Sequence, residues 1–81
     1  MKKIAFTAQA RADVRRLDVP TAMRIFAALH RFAQTGEGDI KKLQGDTEDL
    51  RLRVGDYRIR FTADAASITV QRVLHRSEAY R

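Results

Sequence analysis

Near the end of the chain, His75-Arg76-Ser77-Glu78-Ala79-Tyr80 brings together an imidazole, a guanidinium, a carboxylate and a phenol. Such groups transfer protons and stabilise charge on phosphate, the two needs of RNA cleavage by an adjacent 2′-hydroxyl. A second set lies upstream, where Arg51 and Arg53, then Arg58 and Arg60, alternate with apolar residues on either side of Gly55-Asp56. Four guanidinium groups on neighbouring strands repel one another unless an anion neutralises them, so the pattern suits a polyanion. Without such a partner the same arginines form a solvated strand face, His75 is a surface residue at a strand end, and Tyr80 packs the tail onto the sheet. Arginine stays protonated at any relevant pH, which leaves His75 as the titrating candidate for a general base.

These residues need elements to position them. Residues 3 to 6 suit a first strand, and Thr7 is placed to cap a helix over about 8 to 17, whose Ala10, Val14 and Leu17 share one face. Asp18-Val19-Pro20 breaks and restarts the chain, and Ala22, Ile25, Phe26, Leu29, Phe32 and Ala33 then repeat at helical spacing. The glycines of Thr35-Gly36-Glu37-Gly38-Asp39 end this second helix, and the polar stretch from Ile40 to Asp49 reads as a loop.

The period then changes to two. Leu50, Leu52 and Val54 alternate with arginines, and after Gly55-Asp56 so do Tyr57, Ile59 and Phe61, the pattern of a β-hairpin with its apolar side towards the helices. Residues 67 to 74 form a last strand in which Ile68 and Val70 share one parity and Val73 has the other, as a bulge or burial on both faces would produce. The predicted order is β-α-α-β-β-β, an α+β fold with two helices on one face of a small, mostly antiparallel sheet.

Eighty-one residues predict a single domain, 1–81. The absence of cysteine removes disulfides and zinc-finger chemistry, and two distant histidines, His30 and His75, predict no metal site. The first apolar run, Ile4-Ala5-Phe6, is too short for a signal peptide or a membrane span, which predicts a cytoplasmic protein with no membrane partner. The net charge of +6 favours nucleic acid ahead of an acidic protein or membrane surface. From Leu50 onward seven arginines face three acids, so the anion site is expected in the C-terminal half.

Three segments resemble the core signature of the RelE/ParE superfamily of type II toxin–antitoxin toxins. They are Lys42-Leu43-Gln44-Gly45, then Leu50-Arg51-Leu52-Arg53-Val54-Gly55-Asp56-Tyr57-Arg58-Ile59-Arg60-Phe61, then Arg72-Val73-Leu74-His75-Arg76 with Tyr80. The resemblance implies a RelE-like fold whose active surface is the sheet face away from the helices, and a metal- and cofactor-independent endoribonuclease acting on messenger RNA at the ribosome. Carried onto this chain, it implies that Arg58 and Arg76 hold the scissile phosphate and that Tyr80 stacks on a base or orients the attacking hydroxyl. It further implies that Arg51, Arg53 and Arg60 bind RNA, and that a cognate antitoxin masks the basic face. Two alternatives stand beside it: a ParE-like inhibitor of DNA gyrase, and a basic nucleic-acid-binding module without catalysis.

Overall fold

A computed structural model describes residues 2–43 and 48–79. The chain runs β1 (Lys3–Phe6), α1 (Ala8–Arg15), α2 (Val19–Thr35), β2 (Ile40–Lys42), β3 (Leu50–Val54), β4 (Tyr57–Ala63), β5 (Ser67–His75) and α3 (Arg76–Ala79). One five-stranded sheet has the order β1-β5-β4-β3-β2, antiparallel except for the parallel β1–β5 pair. This is the predicted α+β fold.

Local chemistry explains the helices. Thr7 caps α1, its Oγ1 accepting the Ala10 N–H at 3.1 Å, and Asp18 caps α2 by accepting the Thr21 N–H at 3.3 Å. Pro20 sits in the first turn of α2, and Gly36 ends that helix at φ 74°, a left-handed conformation that costs glycine nothing. The apolar stripe of α2 buries Ile25, Leu29 and Ala33 against Leu52, Ile59, Phe61, Ile68, Val70 and Val73 of the sheet, with Ala10 of α1 closing the core. Phe32 meets Phe61 edge to face at 5.3 Å, as Phe6 meets Phe26 at 5.8 Å.

The expected loop from Ile40 to Asp49 is corrected at its start, where Ile40–Lys42 forms the edge strand β2. Ile40 pairs with Leu52 and packs on the core while both lysines stay exposed, and three residues are too few for the alternation to show in sequence. The tail likewise adds one helical turn, α3.

The bulge anticipated in the last strand lies at Gln71. Arg60 pairs with Arg72 while the next residue, Phe61, pairs with Val70, so one extra residue of β5 is accommodated there. Ile68 and Val70 before it and Val73 after it can then all face the core. Thr7 ties α1 to this point, its N–H donating to Val70 O at 3.0 Å and its hydroxyl to Gln71 O at 3.1 Å. No helix among the described residues is long and apolar enough to cross a membrane.

Candidate nucleic-acid interface

The hairpin turn sets the register of the basic residues. Val54 pairs with Tyr57 across Gly55-Asp56, with Gly55 at φ 58°, so Arg53 lies opposite Arg58 and Arg51 opposite Arg60. Because Leu52, Ile59 and Phe61 fill the core, these four arginines start from the sheet face away from the helices, as predicted. The pairing continues on both sides: Lys41 of β2 lies opposite Arg51, and Arg72 of β5 lies opposite Arg60. Lys41, Arg51, Arg60 and Arg72 therefore form one row of cations running across four strands, about 14 Å long at ordinary strand spacing.

Each cation of the row meets a different environment. The Arg60 Nη2 donates to Asp49 Oδ2 at 3.1 Å, and its Nε is buried without an acceptor among the described residues. Arg72 begins opposite Arg60 but bends around the open edge of β5 to α1, where its Nε donates to Asp13 Oδ2 at 2.9 Å. No ion pair holds Lys41, Arg51 or Arg53 among the described residues. Next to the row, Arg58 is only 6% exposed, and its Nη1 donates to Gly55 O at 3.3 Å and Tyr57 O at 3.2 Å. Arg51, Arg58 and Arg60 line a common cavity of about 280 Å³, flanked by Leu43 and Leu74. A phosphate group fits such a space, and guanidinium groups are built for its oxygens.

The remaining sequence candidates are distributed less evenly. Arg76 reaches the hairpin turn that Arg58 also engages: its N–H donates to Asp56 O at 2.7 Å and its exposed guanidinium lies 3.9 Å from the Asp56 carboxylate. Arg53 is exposed towards the β2 side, its N–H donating to Asp39 O at 2.9 Å. His75 does not join the arginines. It pairs with Tyr57 beyond the core pair Ile59–Val73, so its ring lies on the helix side of the sheet, edge to face with Tyr57 at 5.3 Å. The Ser77 N–H donates to its Nδ1 at 3.2 Å, and its ring lines a separate pocket with Asp13, Arg16 and Glu78. Tyr80 lies outside the described residues.

Asp13 is a key residue that sequence patterning missed. It is 2% exposed, and besides Arg72 it accepts the Val73 N–H at 2.9 Å, a donor of β5 beyond the stretch Ser67–Val70 that β1 pairs with. Burial pushes this carboxyl up, but the hydrogen bonds from Arg72 and Val73 and the charge of Arg72 outweigh it and hold the group below its ordinary 3.8. Asp13 also raises the Arg72 guanidinium by the same hydrogen bond. The hint in sequence was an acid among apolar helical positions; besides Arg16 in the same helical turn, its partners lie 59 and 60 residues away. Lys41 was missed because β2 was.

Comparison with known proteins agrees with this architecture. The family model for the ParE toxin of type II toxin–antitoxin systems, parDE, matches residues 4–80. The chain belongs to that family, within the RelE/ParE superfamily. Toxin RelE3 of Methanocaldococcus jannaschii is 45% identical over 42 residues, which cover 52% of this chain and 48% of that protein; the chain thus spans about half the length of this curated relative. A chain of the RelB–RelE antitoxin–toxin complex from Methanococcus jannaschii superposes with a TM-score of 0.78 at 28% identity, covering 94% of each chain. The fold is shared with the RelE–RelB complex from Pyrococcus horikoshii, TM-score 0.77 at 18% identity over 93% of this chain and 94% of that one. It is shared as well with the YoeB–YefM complex from Staphylococcus aureus, TM-score 0.75 at 20% identity over 93% and 97%.

Proposed function

We infer that this toxin is a metal-independent endoribonuclease that cuts messenger RNA on the ribosome in the cytoplasm and so inhibits translation. The observation that carries this reading is the row Lys41–Arg51–Arg60 beside the buried Arg58 on the sheet face away from the helices, an arrangement suited to phosphate. Arg58 and Arg60 hold the scissile phosphate, Arg51 and Lys41 bind the flanking backbone, and Arg53 contacts RNA from the β2 side. Arg76, beside the same turn as Arg58, adds charge stabilisation, and Tyr80 stacks on a base. Fixed cations aimed at a developing oxyanion are worth several kcal/mol. His75, turned to the helix side, has no part in this site. An antitoxin is the natural partner, since solved relatives of this fold are antitoxin–toxin complexes and the basic face suits an acidic segment.

The test is inducible expression with cleavage of a defined messenger RNA mapped with and without ribosomes. Cuts at codon positions that require ribosomes support the reading. The ParE description of the matching family favours a second reading, inhibition of DNA gyrase, for which intact RNA with arrested replication is the result. Salt-sensitive RNA binding with neither effect would leave a binding module.

A further inference from the structure

With His75 on the helix side, the arginine face needs another group to take the proton from the attacking 2′-hydroxyl. Arginine cannot, because it stays charged at any relevant pH. A carboxylate stands beside these arginines. Asp49 immediately precedes β3 and shares the parity of Arg51 and Arg53, and its backbone carbonyl accepts the Leu43 N–H at 3.1 Å. Its Oδ2 lies 3.1 Å from the Arg60 Nη2, and its side chain is 20% exposed. Both Leu43 and Arg60 line the cavity assigned to the phosphate, so the carboxylate sits one guanidinium away from it.

We propose that Asp49 is the general base of RNA cleavage, an assignment that rests on the ribonuclease reading above. The 2′-hydroxyl gives its proton to Asp49 while its oxygen forms a bond to the adjacent phosphorus. The bond from phosphorus to the 5′-oxygen breaks, and that oxygen takes a proton from water, leaving a 2′,3′-cyclic phosphate and a 5′-hydroxyl. Arg60 both orients the carboxylate and faces the phosphate, so base and electrophile are held by one side chain. Arg60 on β4 is bonded to Asp49, Arg51 and Arg58 line the same cavity as Arg60, Lys41 on β2 lies opposite Arg51, and Arg72 on β5 is drawn off to Asp13.

The experiment is single-turnover cleavage of ribosome-bound messenger RNA by wild type, Asp49→Asn and Asp49→Ala, followed from pH 5.5 to 8.5, with melting curves as a fold control. An amide still accepts a hydrogen bond from Arg60 but takes no proton. The expected result is that both variants lose roughly 100- to 10,000-fold in rate. The residual Asn rate should rise tenfold per pH unit as hydroxide replaces the base, a steeper dependence than that of wild type. If Asp49 only braces Arg60, Asn stays within threefold of wild type and Ala alone is slow, which overturns the proposal and leaves the ribonuclease reading standing. A wild-type protein that cuts nothing on ribosomes overturns both.

Discussion

Replacing Asp13 by Ala removes the acceptor that ties α1 to β5, and its cost follows from its contacts. The Val73 N–H, bonded to Asp13 at 2.9 Å in the interior, would lose its partner, at about 1–3 kcal/mol. The bond to the Arg72 guanidinium, whose side chain is 37% exposed, adds about 1 kcal/mol after discounting for solvent, and the bond to the largely exposed Arg16 adds little. A loss of about 3 kcal/mol is large for a chain of this length, whose whole stability is on the order of 4–12 kcal/mol. Thermal unfolding followed by circular dichroism should show a midpoint lower by about 12–24 °C. Asp13→Asn keeps an acceptor for Val73 and should lose less than half as much. Because the folded carboxyl lies below 3.8, the charge-dependent contribution is fully present above the unfolded value near pH 4 and is lost as pH falls through the folded value. The difference between wild type and Asp13→Asn should therefore be constant above about pH 5 and shrink in stronger acid. An Asp13→Ala protein melting within about 5 °C of wild type would mean that Asp13 does not tie α1 to β5.

Other perturbations have distinct signatures. Gly55→Ala forces a side chain into φ 58° at the hairpin turn and should cost about 1–2 kcal/mol, read as a lower urea midpoint at unchanged m-value. Thr7→Ala removes both the α1 cap and the bond to Gln71 O, and should cost about 1–2 kcal/mol in the same assay. Arg51→Ala, which breaks no ion pair among the described residues, should leave the melting midpoint within a few degrees and lower the salt slope of single-stranded RNA binding by about 0.7.

The periodic parts of the fold were legible in the sequence. The helical repeat of Ile25, Leu29 and Ala33 and the alternation of Leu50 to Phe61 each encode which side is buried, and the cap at Thr7 marked its helix. Short and long-range features were not. Strand β2 is too brief to alternate, and Asp13 meets partners some sixty residues away. The face of His75 turned on one inserted residue: counted from Ile68 and Val70 it points outward with the arginines, but the bulge at Gln71 reverses that parity and turns it inward beside Tyr57. The arginine face was visible as a pattern, yet the burial of Arg58 and the pairing of Arg60 with Asp49 depend on how the hairpin packs against its neighbours. Tyr80 lies outside the described residues.

The ribonuclease reading requires that the sheet face away from the helices, and not net charge alone, acts on RNA. Its most direct test is ribosome-dependent cleavage by Arg51→Gln/Arg60→Gln compared with Arg11→Gln/Arg31→Gln, which removes the same charge from the helix layer. On that reading the sheet-face pair abolishes cleavage in a folded protein while the helix pair cuts at the wild-type positions and rate. Equal loss in both, or retained cleavage by the sheet-face pair, would contradict it.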